Sequence, residues 1–273
     1  MMNRNGFRGL RPFLIIAAAA FSLPAAAQEG RDLCSDRPGL GTPACTVAKG
    51  EVVAELGLAD WTRQHDGSVR TDTLLLGDML LRFGLSSSLE AQVGWTALGR
   101  VRERDAALGT RGAATRVGDV TLALRQNIRN PDGSGLSVAI MPYVTLPAGR
   151  TPVGTGDWSG GVRLPVSVDL GGGASFALTP EVDAAVDEDG DGRHLQYGSV
   201  AGMGFDLSDH VSASAELSLF RDRDPAGHSS EALAGLSLGW QPNDDSQWDV
   251  GANVGLNRDS PDVELYLGYV HRF

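Results

Sequence analysis

From residue 51 onward, segments of about ten residues alternate apolar and polar side chains, again and again along the chain. Leu89–Leu98 sets Leu89, Ala91, Val93, Trp95 and Ala97 against Glu90, Gln92, Gly94 and Thr96. Val211–Phe220 sets Val211, Ala213, Ala215, Leu217 and Leu219 against Ser212, Ser214, Glu216 and Ser218. Trp248–Leu256 sets Trp248, Val250, Ala252, Val254 and Leu256 against Asp249, Gly251, Asn253 and Gly255. Strand side chains point to two sides in turn, so this period sorts them cleanly; a helix would scatter them around its circumference. Extended along the chain, the pattern predicts twelve strands near 51–63, 71–85, 89–98, 118–128, 136–147, 161–170, 174–186, 195–207, 211–221, 230–241, 247–256 and 263–273.

The polar faces decide what surrounds such a sheet. They carry Asp78, Arg82, Glu90, Arg125, Arg163, Glu181, Asp183 and Glu216 as candidate lumen-facing residues. A dry core would charge several kcal/mol of desolvation for each ion, whereas a wet lumen would not. The expected fold is therefore all-β: a transmembrane antiparallel up-and-down β-barrel of about twelve strands, its apolar faces turned to lipid. A mean hydropathy of −0.11 agrees, because only alternate residues of a barrel strand meet hydrocarbon. Connections are expected to be tight after even strands, as at Ser86-Ser87-Ser88 and Gly171-Gly172-Gly173, and longer after odd ones. The longest expected loop is Gly99–Val117, followed by Arg150–Gly160 and Asp187–His194. Closing the sheet leaves no backbone polar group facing hydrocarbon, and the even strand count puts both barrel ends on the periplasmic side.

Ahead of the barrel stand two shorter units. Residues 1–27 read as a cleaved signal peptide: Arg4, Arg8 and Arg11, then the apolar run Phe13–Leu23, then Ala25-Ala26-Ala27 before Gln28. Such a leader implies export, and with the barrel pattern the expected location is the cell outer membrane of a Gram-negative bacterium. Without it, 20 basic residues face 34 acidic ones, an acidic balance that excludes nucleic acid as a partner. Residues 28–50 form a periplasmic or plug segment in which Cys34 and Cys45 are expected to pair as a disulfide.

The final strand ends Tyr266-Leu267-Gly268-Tyr269-Val270-His271-Arg272-Phe273. It resembles the C-terminal assembly signal of outer-membrane barrels in Tyr266, Gly268 and Phe273, with His271 departing from the usual apolar choice. Wider stretches resemble the outer-membrane transporter family linked to the meta-cleavage pathway of phenol degradation. These are Asp36-Arg37-Pro38-Gly39, Thr71–Gly84 ending in Arg82-Phe83-Gly84, Gly118-Asp119-Val120-Thr121-Leu122, Pro142-Tyr143-Val144-Thr145-Leu146-Pro147, and Phe273. The resemblance runs from about Asp36 to the end and implies a transport function, for hydrophobic or aromatic compounds.

Catalytic motifs are missing: there is no Gly-x-Ser-x-Gly elbow and no His-Glu-x-x-His pair. His65, His194 and His228 are expected in outer loops, His210 in a periplasmic turn and His271 in the last strand, none beside a serine on a shared face. Gly39-x-Gly41-x-x-Ala44 mimics a dinucleotide fingerprint but contains Pro43 and follows no strand. Asp187, Asp189, Asp191 and Gly192 mimic the start of a calcium loop, but its twelfth position is Gly198, which cannot ligate. No enzyme activity, metal or cofactor is expected. The partners expected are outer-membrane lipid and lipopolysaccharide, the barrel-assembly machinery and small solutes. The function expected is passive passage of small solutes; the alternative is a structural or adhesive barrel occluded by ion pairs between Arg82 or Arg125 and Glu90 or Asp78.

Overall fold

A computed structural model describes residues 31–273, so the expected signal peptide lies outside the described residues. The chain forms β1 (Val52–Asp66), β2 (Val69–Gly84), β3 (Leu89–Asp105), β4 (Thr110–Arg116), β5 (Val120–Arg129), β6 (Leu136–Leu146) and β7 (Ser159–Arg163). There follow β8 (Val166–Gly171), β9 (Ala174–Val186), β10 (Arg193–Ser208), β11 (Val211–Asp224), β12 (Gly227–Asn243), β13 (Ser246–Gly255) and β14 (Val263–Arg272). Every pairing is antiparallel, and β14 pairs with β1 from Val53↔Arg272 to Arg63↔Val263, which closes the sheet into a barrel.

The fourteen segments make twelve staves. β7 and β8 both lie between β6 and β9, and are split at Leu164-Pro165. Pro165 has no N–H to give to the ladder, so regular pairing lapses there. The gap is bridged by Ala139 N donating to Pro165 O and Leu164 N donating to Pro180 O, both at 2.9 Å. β4 and β5 likewise pair successive parts of β3 and are split at residues 117–119. Gly118 N still donates to Thr96 O across that break at 2.9 Å.

The expected Gly99–Val117 loop is a correction. β3 runs on to Asp105, and β4 returns beside it from Thr110↔Asp105 to Arg116↔Gly99. Beyond the hydrocarbon both faces meet water, so alternation fades while backbone pairing continues. For the same reason His65, His194 and His228 lie on β1, β10 and β12 rather than in loops.

Sidedness is unambiguous. Leu217, Leu219 and Leu236 on the outer wall are 59%, 62% and 68% exposed, whereas Arg82 and Arg125 inside have no exposure. At about 25 cal/mol per Å² of apolar area, an outer wall of leucines is stable only against lipid. The barrel end that holds both ends of the ring, with turns 85–88 and 209–210, is termed the inner end. At it Trp248 packs tilted against Tyr269 at 4.7 Å and His271 meets Phe273 edge-on at 4.6 Å. Trp240 pairs with Trp248 there, so an amphipathic aromatic cluster marks that end along β12–β14.

Candidate functional site

Inside the inner half of the barrel lies the segment preceding β1, folded back on itself by the Cys34–Cys45 disulfide. It joins no strand ladder; apart from Thr46 N to Pro131 O and Gly50 N to Gly84 O, side chains of the wall take up its backbone groups. Asp36 N and Arg37 N donate to the two carboxylate oxygens of Glu55 on β1, at 2.9 and 3.0 Å. Leu40 N and Gly41 N donate to those of Glu216 on β11, at 2.7 and 3.0 Å. Val47 N donates to Glu90 on β3 at 2.6 Å, and Ala44 N to Ser167 on β8 at 3.2 Å. Thr179 on β9 both accepts from Thr42 N and donates to Thr42 O. The anchors come from around the whole ring, so the segment crosses the lumen. Val47 also packs in a small apolar cluster with Val53 and Val270, against Leu33.

Charge binds the same segment. Arg37 donates through Nε and Nη2 to Asp249 on β13, at 3.1 and 2.8 Å, and lies 5.5 Å above the ring of Tyr266. Gly268 makes room for it: a Cβ at that position would stand 2.2 Å from Arg37 Nε. Three staves along, on β2, Arg82 joins Glu90, Glu55 and Asp36 at 2.9, 3.1 and 3.0 Å. Arg125 pairs with Asp36 at 2.6 Å and approaches Glu90 at 3.5 Å. Arg82 and Arg125 also donate to the carbonyls of Cys34 and Cys45. Two guanidiniums thus sit among three carboxylates, one of them belonging to the N-terminal segment.

The remaining candidates lie elsewhere on the wall. Asp78 accepts from Thr96 Oγ1 at 2.7 Å, and no arginine pairs with it among the described residues. Arg163, Glu181 and Asp183 line a cavity of about 440 Å³ nearer the outer end, with Tyr143, Gln196, Phe220 and Glu231. Arg163 pairs with Glu181 at 3.0 Å and lies 4.7 Å above the Tyr143 ring. Tyr143 donates to Glu181 at 2.7 Å and also contacts Asp183. A second space of about 260 Å³ shares Arg163, Glu181, Phe220 and Glu231 with the first, and its floor is Leu40 and Thr42 of the N-terminal segment. At the outer rim, Asp119 accepts from Gly149 N and Thr155 N and so anchors loop 147–158. There Arg193 stacks on Trp158 and its hydrogen bond holds the Asp157 carboxyl below the usual range.

Glu55 is absent from the sequence reading; Asp249 stands there on a polar face, and Asp36, Arg37 and Tyr143 lie in the stretches that carry the family resemblance, but none of these is a lumen candidate. Glu55 was within reach, because it occupies the polar register of β1 between Ala54 and Leu56. Asp36 and Arg37 were not, because a segment without period has no face to read.

The family model described as "Putative MetA-pathway of phenol degradation" matches residues 35–273. Among solved structures, the transport unit of the autotransporter AIDA-I from Escherichia coli is similar at TM-score 0.51 and 8% identity, over 81% of this chain and 89% of that one. The NanC porin aligns at TM-score 0.49 and 11% identity, over 78% and 98% of the two chains. The CymD monoaromatic hydrocarbon channel aligns at TM-score 0.44 and 7% identity, over 83% and 89%. No curated protein matches the chain. At 8% identity the likeness to the AIDA-I transport unit is one of fold alone.

Proposed function

The chain belongs to the family described as "Putative MetA-pathway of phenol degradation", and we propose that it is an outer-membrane channel for small solutes, aromatic ones among them, gated by its own N-terminal segment. One observation carries this reading. The segment fills the inner half of the lumen, held mainly by wall side chains with backbone bonds only from Thr46 N to Pro131 O and Gly50 N to Gly84 O, while cavities of about 440 and 260 Å³ lead down to it from the outer half. Twelve strands enclose more space than an eight-stranded barrel can fill with side chains, so a removable filling is physically reasonable. Contacts of this kind can break singly, without opening the barrel wall.

The cavity lining supports a solute class. Tyr143 and Phe220 offer aromatic surface, and Glu181, Asp183 and Glu231 outnumber Arg163. Neutral or cationic solutes are favoured there over anions. Family membership supports aromatic compounds among them.

A second reading has its own observation. The Arg82–Glu90–Arg125 network is buried and could serve only to brace a closed barrel with a surface role. Single-channel recording in planar bilayers separates the two, on the chain from Gln28 and on a variant lacking residues 28–50. The channel reading expects brief or small openings from the first and a larger steady conductance from the second. Silence from both would leave the braced barrel.

A further inference from the structure

At the outer rim, away from the lumen segment, one imidazole is ringed by carboxylates. Loop 187–192 joins β9 to β10, and beside it residues 225–226 turn β11 into β12. His194, the second residue of β10, lies between them and is nine-tenths buried, at 9% exposure. Its Nδ1 is 2.9 Å from Asp187 Oδ1 and 3.3 Å from Asp224 Oδ2. Its Nε2 is 3.0 Å from Asp222 Oδ1, yet off line, and makes no hydrogen bond. Three acids thus face one buried ring: Nδ1 bonds to Asp187 and has Asp224 beside it, and Nε2 faces Asp222 on the other side.

It is a good arrangement around a cation. Zinc bonds imidazole nitrogen and carboxylate oxygen at about 2.0–2.2 Å, so neighbouring tetrahedral donors stand about 3.3 Å apart. The donor atoms of Asp187, His194 and Asp224 all lie within 4.8 Å of one another; Nδ1 stands 3.3 Å from Asp224, at that spacing, and 2.9 Å from Asp187, a little inside it. We propose that Asp187, His194 and Asp224 bind a transition-metal dication of the zinc type, with Asp222 as the positioning residue behind the imidazole.

The surroundings fit that assignment. A metal on Nδ1 leaves the ring proton on Nε2, where a small rotation of the ring aims it at Asp222. Metal-bound histidines are commonly oriented by a carboxylate in this way. Asp224 is held in place by Glu188 N and Ala226 N, each donating to it at 2.7 Å. Asp187 has room only because residue 192 is glycine: with φ +122° there, an added Cβ would stand 2.4 Å from Asp187 Oδ2.

The calcium-like spacing in this loop draws attention to the right place with the wrong ligands. Asp189 accepts from Asp191 N at 2.9 Å, and neither acid belongs to the group. An imidazole among the donors selects zinc-type ions over calcium or magnesium. Once bound, the ion would fasten loop 187–192 to the β11–β12 turn and neutralise acidic charge on the rim. The inference is independent of the transport reading.

The test is isothermal titration of the folded protein in detergent with zinc chloride, and separately with calcium chloride. One zinc per chain is expected, with binding lost in both His194→Ala and Asp224→Asn and about tenfold weaker in Asp222→Asn. Cobalt(II) absorption of the unsubstituted protein needs no variant to fold: four-coordinate bands are expected, and the spectrum of the hydrated ion would overturn the proposal. So would zinc binding unchanged in His194→Ala, or calcium displacing zinc one for one.

Discussion

Both carboxylate oxygens of Asp36 accept from Arg125 Nη2, at 2.8 and 2.6 Å, and tie the lumen segment to the barrel wall. The same carboxylate lies 3.0 Å from Arg82 Nη1, so one side chain of the segment joins two guanidiniums of the wall. Asp36→Ala leaves Arg125 with Cys45 O and a 3.5 Å approach to Glu90. Losing charge-assisted hydrogen bonds of this kind costs about 2 kcal/mol. In planar bilayers the open fraction is then expected to rise roughly thirtyfold, at 1.36 kcal/mol per decade. An unchanged record would mean that Asp36 does not hold the gate.

Barrel architecture was legible in the sequence because lipid on one side and water on the other impose a period of two. The pattern fails where that asymmetry ends. Arg100, Arg102 and Arg104 on β3 pair with Thr115, Ala113 and Arg111 in water on both faces, and therefore look like loop. The lumen segment was illegible for another reason. Its contacts are backbone N–H groups meeting distant carboxylates, such as Leu40 and Gly41 with Glu216, and no local pattern encodes a partner that far along the chain. Asp224 is missed likewise, since nothing in the order of residues brings it to His194.

The Cys34–Cys45 disulfide closes a short loop whose two ends offer carbonyls to Arg82 and Arg125. Breaking such a loop releases chain entropy worth about 3 kcal/mol in the undocked segment. Cys34→Ser with Cys45→Ser is expected to lengthen channel openings while the far-ultraviolet circular dichroism of the barrel stays the same. A loss of β signal would show that the bridge supports the wall instead.

Leu236 stands on the outer wall of β12, 68% exposed, and Leu108 stands 75% exposed in the turn beyond β3. Near the bilayer midplane an arginine on the lipid face costs about 2–4 kcal/mol, falling towards zero outside. Leu236→Arg is expected to lower the urea midpoint of the protein in lipid vesicles, and Leu108→Arg to leave it unmoved. Equal effects at both sites would contradict a membrane around β12.

Phe273 closes the ring through its N–H, which donates to Val52 O at 2.9 Å, while its side chain is exposed beside His271. The backbone contact survives substitution but the exposed ring does not. Phe273→Ala is therefore expected to fold in detergent yet reach the outer membrane poorly in cells, as read by membrane fractionation. Normal delivery would deny the terminal aromatic a part in recognition by the assembly machinery.

Selectivity follows from the outer cavity, where Glu181, Asp183 and Glu231 face Arg163 alone. Because Arg163 is already paired with Glu181 at 3.0 Å, the field that a passing ion meets is set by the other two acids. A chain opened by deleting residues 28–50 is expected to prefer potassium over chloride, read as the zero-current potential across a salt gradient. Glu231→Gln should weaken the preference and Arg163→Gln strengthen it. The effect must also fade with salt, since the screening length falls from about 10 Å at 0.1 M to about 3 Å at 1 M. A preference for chloride, or one indifferent to both substitutions, would mean that ions do not pass by these residues.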